Sequence, residues 1–289
     1  MKKMGLKILT QIVPSIAILA VLILAALLIN EKINERVIVT RYTYSHSEIP
    51  TAFDGYKILM VSDMHEAPFT DQVIEHINNL SPDIIVFTGD MALLPDKSIR
   101  ATSRIAKAIQ GIPMYAVSGN HETQCEDYNE IIKTMWQKGM IPLENDSVCI
   151  ERGEESFLLL GIKDPTSNVI SEEKLEEIRN QIESEFPDGP CFSVLLSHRA
   201  DLYPDIKNTS VDLILSGHMH GGIMRLPFLG GVVGKNDDKW FPDYEYGLYI
   251  DDTAADMIVS GGCDKNPEKK RYFNPPEVVL ITLEKEIGA

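Results

Sequence analysis

The chain has 289 residues, of which 44% are hydrophobic and 24% charged, so it is a folded protein with room for one large α/β domain or two ordinary ones. Its formal net charge is −16 and no Lys/Arg-rich stripe occurs beyond the N-terminus, so we expect no nucleic-acid-binding surface. The four cysteines form no Cys-x-x-Cys pair, which disfavours a thiolate zinc site or a redox dithiol.

The N-terminus is predicted to anchor the chain in a membrane. A basic tail, residues 1–7, precedes an uncharged apolar stretch over residues 8–29. At about 1.5 Å per residue, a helix of that length can cross a hydrocarbon core about 30 Å thick. No small-residue cleavage site follows, which favours an uncleaved signal anchor over a cleaved secretory signal.

The orientation of this anchor follows from its flanking charges. A short basic tail ahead of a hydrophobic run usually stays in the cytoplasm, although Lys32, Arg36 and Arg41 on the other side nearly balance it. We therefore expect a single-pass protein of the cell membrane whose large domain is extracytoplasmic.

Residues 30–50 are predicted to form a membrane-proximal linker or edge segment, and residues 51–289 one domain. Short apolar runs in that domain predict buried strands, and apolar residues at helical spacing predict helices between them. The predicted strands are residues 57–62, 84–88, 114–118, 157–161, 192–197, 213–216, 257–260 and 278–283. Strands alternate with helices at first and dominate later, which favours an α/β fold with two sheets.

Five of the seven histidines lie in short polar motifs at the ends of predicted strands. The motifs are Asp63-Met64-His65, Gly89-Asp90, Gly119-Asn120-His121-Glu122, Ser197-His198 and Gly217-His218-Met219-His220. Residues two apart in an extended backbone point the same way, so Asp63 and His65 could share one metal, with Met64 facing the core. Each motif alone is weak, because a single histidine is more often a hydrogen-bonded core residue. Together they predict a polynuclear metal site at one rim of a sheet.

In this order the motifs resemble the calcineurin-like metallophosphoesterase family, over residues 56–284. Met224-Arg225-Leu226-Pro227 and residues 272–277 resemble its membrane-associated bacterial phosphodiesterase branch. The resemblance implies a four-layer αββα sandwich, here preceded by one transmembrane helix, with residues 51–289 as the catalytic domain. It also implies a dinuclear centre, with Asp63, His65 and His220 at one metal, Asn120, His198 and His218 at the other, Asp90 as the bridge and His121 beside the leaving group.

The implied activity is hydrolysis of a phosphoester, a diester more than a monoester. Imidazole and carboxylate ligands suit two divalent ions of Mn, Zn or Fe better than Mg or Ca. Two such ions about 3.5–4 Å apart would activate a bridging hydroxide for in-line attack on phosphorus. Asn120 would then stabilise the developing charge, and His121 would protonate the leaving oxygen. Ligand histidines must be neutral, so activity should collapse at acidic pH.

The substrate is expected to be a phosphorylated small molecule or a lipid, because the anchor holds the site at a membrane. Arg225 is a candidate contact to a substrate phosphate, with a surface salt bridge as the alternative. Glu66 and Glu122 adjoin predicted ligands and either tune them or are solvated loop carboxylates.

Other functions remain open on the same centre. They are hydrolysis of a lipid-linked pyrophosphate, protein phosphatase activity and a non-catalytic scaffold, the last disfavoured because every implied ligand is present. A serine hydrolase and a nucleotide-triphosphate motor are disfavoured because the chain has neither a Gly-x-Ser-x-Gly elbow nor a Walker-type loop.

Overall fold

Two six-stranded mixed sheets form the centre of the protein. The computed structural model describes residues 2–93, 98–167, 169–186, 191–226, 228–234, 240–265 and 270–286, with side chains from residue 14 onward. The strands in these ranges are β1 Ile38–His46, β2 Lys57–Val61, β3 Ile84–Thr88, β4 Met114–Val117, β5 Met140–Pro142, β6 Asp146–Arg152, β7 Glu155–Gly161, β8 Ser193–Arg199, β9 Leu213–Gly217, β10 Arg225–Leu226, β11 Gly230–Gly231, β12 Gly247–Tyr249, β13 Asp256–Val259 and β14 Glu277–Lys285. The α-helices are α1 Lys2–Ile33, α2 Thr70–Leu80, α3 Arg100–Ala108, α4 Asn120–Thr123, α5 Tyr128–Gln137, α6 Glu172–Ser184 and α7 Tyr203–Ile206.

The topology brings the carboxyl ends of parallel strands to common edges. The first sheet has the order β1-β14-β2-β3-β4-β5 and the second the order β12-β13-β9-β8-β7-β6. Strands β2 to β5 are parallel to one another, as are β7, β8, β9 and β13. The polar motifs lie at the carboxyl ends of β2, β3, β4, β8 and β9, or directly after them.

The side chains of each central strand alternate between two hydrophobic layers. On β2, Ile58 and Met60 pack between the two sheets, while Leu59 and Val61 pack toward α2 and α3. On β9, Leu215 faces the first sheet and Ile214 faces the layer that contains α6. This period-2 alternation produces helices, sheet, sheet and helices in succession. The predicted four-layer αββα sandwich is therefore confirmed.

The helix α5 follows its sequence pattern only in part. Tyr128, Ile131, Ile132, Met135 and Trp136 have amphipathic helical spacing, which predicts one buried stripe. Of these residues, Ile131 and Met135 are buried. Trp136 is exposed instead, because it lies at the border of that stripe.

The N-terminal segment is one long helix that continues into the folded domain. Within α1, Pro14–Ile33 is long and apolar enough to cross a membrane. The segment over residues 30–50 includes β1, which pairs with β14 over nine residues in parallel register, and the buried Ile49. The folded domain thus begins before residue 51, because β1 completes the edge of the first sheet. Pro227 and residues 235–239 lie outside the described residues.

Candidate metal centre

Eight polar side chains meet where the carboxyl edges of the two sheets face each other. Five of them follow strands of these sheets: Asp63 and His65 come after β2, Asp90 after β3, and His218 and His220 after β9. His198 lies within β8, one residue before its end. The other two, Asn120 and His121, begin α4 after β4. The close approach of these strand ends requires glycine at residue 217, since a Cβ there would collide with Ser62 and Asp63.

The backbone of the site is not extended, which corrects the geometric argument made from the Asp-x-His spacing. Asp63, His65, Asp90, His218 and His220 all have positive φ, between 40° and 70°. Non-glycine residues rarely adopt this region, which costs about 1–3 kcal/mol each, and such strain collects at functional sites. The paired residues therefore converge through left-handed turns. Met64 still packs into a hydrophobic layer as expected, and Met219 packs into the hydrophobic layer that contains α6.

The first group of donor atoms comprises Asp63, His65, Asp90 and His220. Nε2 of His65 lies 3.4 Å from Oδ2 of Asp90 and 3.9 Å from Oδ1 of Asp63. Nε2 of His220 lies 3.4 Å from that same Oδ1 of Asp63. One donor atom from each residue lies within 4.8 Å of the others, so the four could hold one metal ion.

The second group comprises Asp90, His198 and His218, with Asn120 beside them. Nε2 of His198 lies 3.4 Å from Oδ2 of Asp90, 3.3 Å from Oδ1 of Asn120 and 3.2 Å from Nδ1 of His218. Asp90, His198 and His218 could hold a second ion, and Asp90 belongs to both groups. His218 and His220 therefore serve different groups although only one residue separates them.

The tautomers of three histidines leave a nitrogen lone pair available to a metal. Nδ1 of His198 lies 2.8 Å from the carbonyl oxygen of Thr88, and Nδ1 of His65 lies 3.1 Å from that of Ala92. A carbonyl oxygen only accepts, so each Nδ1 carries the proton and each Nε2 is unprotonated in the neutral ring. Nε2 of His220 is buried and has no hydrogen-bond partner among the described residues. This imidazole and carboxylate donor set fits two divalent transition ions.

Burial and charge act differently on two of these rings. Burial lowers the pKa of His65 to about 4, so its imidazole is neutral at physiological pH. Burial also opposes protonation of His198, but the nearby carboxylates of Asp90 and Asp63 outweigh it and raise its pKa to about 9. A cation bound between the carboxylates would therefore take the place of the His198 proton.

A buried ion pair, which no sequence motif indicated, supports His220 from behind. Asp264 accepts from Nδ1 of His220 at 2.9 Å, and Nε of Arg271 donates to the same carboxylate at 2.7 Å. Burial alone would raise the pKa of Asp264, but Arg271 and His220 hold it well below its usual range. Nδ2 of Asn274 donates to the carbonyl oxygen of His220 at 2.6 Å. Asn274 belongs to the segment 272–277 that resembles the bacterial branch of the family, but that resemblance implied no contact between Asn274 and His220.

Glu122 is a structural acceptor and not a solvated loop carboxylate. It is fully buried and accepts from the backbone N–H groups of Asp90, Ala92 and Gly119 at 2.6–2.9 Å. Burial and the neighbouring Asp90 raise its pKa to about 7, while the three donors favour the carboxylate. Glu122 thus fixes the turn that carries Asp90 against the start of α4.

His121 lies at the mouth of the site, with part of its ring exposed. Its backbone N–H donates to Oδ1 of Asp90 at 2.9 Å, and its Nε2 lies 4.0 Å from Oδ2 of the same residue. Its ring centroid is 4.4 Å from that of His65. His121 therefore has one face toward the donor groups and one toward solvent.

Arg225 lies behind the turn that contains His220. Its Nη1 donates to the carbonyl oxygen of Gly221 at 3.0 Å and lies 3.9 Å from Glu245. The guanidinium lies over the ring of Tyr246, 4.1 Å from its centroid. These contacts hold the Arg225 charge beside the site.

Comparison with known proteins identifies the chain at the level of a family. Residues 56–222 match the family described as calcineurin-like phosphoesterase. The chain is 28% identical over 260 residues to the uncharacterized metallophosphoesterase YkuE of Bacillus subtilis, and the match covers 84% of each chain. It is 28% identical over 265 residues to an uncharacterized metallophosphoesterase of Aquifex aeolicus, covering 85% of this chain and 91% of that one.

A third relative carries a membrane description. The chain is 27% identical over 194 residues to a bovine protein named as a transmembrane protein with a metallophosphoesterase domain, covering 60% of this chain and 42% of that one. The family match alone spans more than half of the present sequence. The chain belongs to the calcineurin-like phosphoesterase family, whose members are dimetal-dependent phosphoester hydrolases.

Proposed function

We propose that this protein is a membrane-anchored phosphodiesterase that works with two divalent ions of Mn, Zn or Fe. The observation that carries the proposal is the position of Asp90, whose Oδ2 lies 3.4 Å from Nε2 of both His65 and His198. One carboxylate oxygen placed equally between two imidazoles can bridge two cations. Asp63 and His220 complete the first set of ligands. Asn120 and His218 complete the second.

The residues around the ions then have separate tasks. Two divalent ions held by these residues would supply an activated water for in-line attack and neutralise charge on the phosphoryl oxygens. The amide of Asn120 turns Oδ1 toward His198, which leaves its Nδ2 to donate to a phosphoryl oxygen. His121 gives a proton from its partly exposed ring to the leaving oxygen. Arg225, held over Tyr246, contacts a substrate phosphate from the side of the His220 turn.

The substrate we favour is a phosphodiester carried by a membrane lipid, with a lipid-linked pyrophosphate as the second candidate. Support comes from the short path between the anchor and the metal centre. Nδ2 of Asn34, at the end of α1, donates to the carbonyl oxygen of Arg271 at 2.7 Å. Arg271 pairs with Asp264, and Asp264 accepts from His220. The basic residues in the first turns of α1 support an extracytoplasmic position for this domain.

The test uses the full chain in detergent, freed of metal with a chelator and then loaded separately with Mn, Zn or Fe. Rates are measured on bis(p-nitrophenyl) phosphate, p-nitrophenyl phosphate, a phospholipid and a lipid-linked pyrophosphate. We expect diester turnover to exceed monoester turnover in at least one metal form. Hydrolysis of the monoester alone would contradict the diesterase proposal.

Two variants show whether the proposed centre performs the reaction. Asp90→Asn should lower the hydrolysis rate at least a hundredfold, because removal of the bridging charge weakens the binding of both ions. Asp146→Asn, an exposed carboxylate at the start of β6, serves as the matched control and should keep the parent rate. Equal activity of Asp90→Asn and the parent would refute the assigned bridge.

A further inference from the structure

Four short backbone segments form a small platform beside the metal centre. Residues 224–226, 228–233, 240–241 and 272–273 define it, and we call it the aromatic platform. Backbone hydrogen bonds join Arg225 to Tyr272, Val232 to Met224, and Phe241 to Val232, each at 2.8–3.0 Å. The segments therefore lie side by side in the order 272–273, 224–226, 228–233 and 240–241.

The aromatic platform directly adjoins the end of the N-terminal helix. The backbone N–H of Phe273 donates to Oδ1 of Asn30 at 2.6 Å, and Nδ2 of Asn30 donates to the carbonyl oxygen of Arg271 at 3.3 Å. Asn30 is almost fully buried in this contact, although residues 27–29 directly before it on α1 are exposed. These bonds fix the platform at the height of the last turn of the apolar helix.

The same platform also contacts the turn that carries His220. Nη1 of Arg225 donates to the carbonyl oxygen of Gly221, and a Cβ on Gly222 would touch the backbone of Gly231. Asn274, the residue that follows the platform, donates to the carbonyl oxygen of His220. The platform therefore lies between the helix end and the metal centre.

The platform exposes large apolar side chains that serve no core. Phe228 is fully exposed, Trp240 is 70% exposed, Leu229 63%, Phe241 55% and Phe273 38%. Grouped exposed apolar side chains mark a contact surface, whereas single ones need no explanation. Tryptophan and other amphipathic aromatic side chains are favoured at the boundary between hydrocarbon and water.

We propose that the aromatic platform is a membrane-contact surface, seated in the headgroup layer of the bilayer that α1 enters. The uncharged apolar stretch of α1 ends at Ile29, directly before Asn30. The headgroup layer that begins there is about 5–8 Å thick, so a surface bonded to Asn30 lies within that layer. A membrane fits this position better than a protein partner, which would have to displace lipid from the end of α1. The metal centre beside the platform then opens toward phosphate groups at headgroup height.

The two tryptophans of the chain provide the test. Trp240 lies in the platform, while Trp136, 56% exposed, lies on α5. Helix α5 packs next to β5, at one edge of the first sheet. The opposite edge is β1, the strand that follows α1, and five strand spacings, or about 24 Å, separate β1 from β5. Trp136→Phe and Trp240→Phe each leave one reporter, and each replaces an exposed ring by another ring.

The full-length variants are placed in bilayer nanodiscs of phosphatidylcholine and phosphatidylglycerol. Part of the lipid is then exchanged for lipid brominated at shallow or deep acyl positions. We expect Trp240 emission in Trp136→Phe to fall at least twofold, more with the shallow label, and Trp136 emission in Trp240→Phe to stay unchanged. Equal Trp240 emission with and without bromine would overturn the proposal and would leave a protein partner as the occupant of the platform.

A further variant examines whether the platform acts as one surface. Adding Phe228→Ser and Leu229→Ser to Trp136→Phe removes two exposed apolar side chains without touching the buried core. Quenching of Trp240 should then fall by at least half, and unchanged quenching would contradict a common contact surface. Circular dichroism of every variant should match the parent. None of these readouts depends on turnover, so they stand or fall separately from the proposed activity.

Discussion

Asp264 accepts a hydrogen bond from Nδ1 of His220 at 2.9 Å, from a loop that contributes no candidate ligand of its own. The contact fixes the tautomer of His220 and turns its Nε2 toward Asp63. A carboxylate in this position also makes the ring a stronger base for a cation. The geometry of the first donor group therefore depends on a residue outside every histidine motif.

Asp264→Asn should weaken metal binding by about 10–100-fold, since loss of such a supporting carboxylate typically has that effect. The affinity is measured by competition with a chromophoric chelator. Asp71→Asn, an exposed carboxylate paired with Arg104, is the matched control. Because the substitution also leaves Arg271 without its buried partner charge, the double variant Asp264→Asn/Arg271→Gln should regain stability but keep the weak affinity. Parent-like affinity in both variants would refute the supporting role of Asp264.

His121→Gln should lower kcat by about 10²–10⁴-fold on a diester with an alkyl leaving group, because the leaving oxygen then receives no proton. On a p-nitrophenyl diester, whose leaving group needs no proton, the loss should be much smaller. Metal content should equal that of the parent, because the imidazole of His121 belongs to neither donor group. A loss of the same size on both leaving groups would argue against an acid role.

Metal affinity should rise with pH as the His198 proton becomes easier to displace. The folded-state pKa of about 9 lies above the unfolded value of about 6.5, so the metal-free protein binds this proton at neutral pH. Affinity should then rise about tenfold per pH unit between pH 7 and pH 9 and level off above. In the metal-free protein, the stability that this proton contributes is present below pH 6.5 and is lost as pH rises through 9. A chelator competition series over that range checks the slope, and a flat profile would contradict it.

Arg225→Gln should raise KM about 10–100-fold with little change in kcat, because a charge-assisted hydrogen bond is worth about 1.5–3 kcal/mol. Steady-state kinetics on the preferred diester measure both constants. Arg152→Gln is a matched control, since Arg152 also lies over a tyrosine ring, that of Tyr56, but on the far strand β6. An unchanged KM together with reduced stability would show that Arg225 has only a structural role, packing over Tyr246.

Local pattern was sufficient for the motifs that contain the candidate ligands and for eight strands, but it did not predict β5, β6, β10, β11 or β12. Strands such as β2 and β3 are short apolar runs that end at a polar motif, so their positions follow from burial alone. Parallel strands share one carboxyl edge, which is why Asp63 and Asp90 meet although they belong to different motifs. The edge strand β1 was harder to recognise, because it is only partly buried and its mixed pattern is close to that of a linker.

The amino-acid sequence by itself determined the alternation of strands and helices, the apolar helix and the eight side chains of the candidate centre, because each has a local signal. Only the tertiary structure decided how they converge, through left-handed turns at residues such as Asp63 and His220 and not through extended alternation. It also decided the roles of Asp264 and Glu122 and placed the aromatic platform beside the end of α1. The physical reason is that these contacts join segments distant in the chain, and nothing in the local composition of either segment specifies its partner.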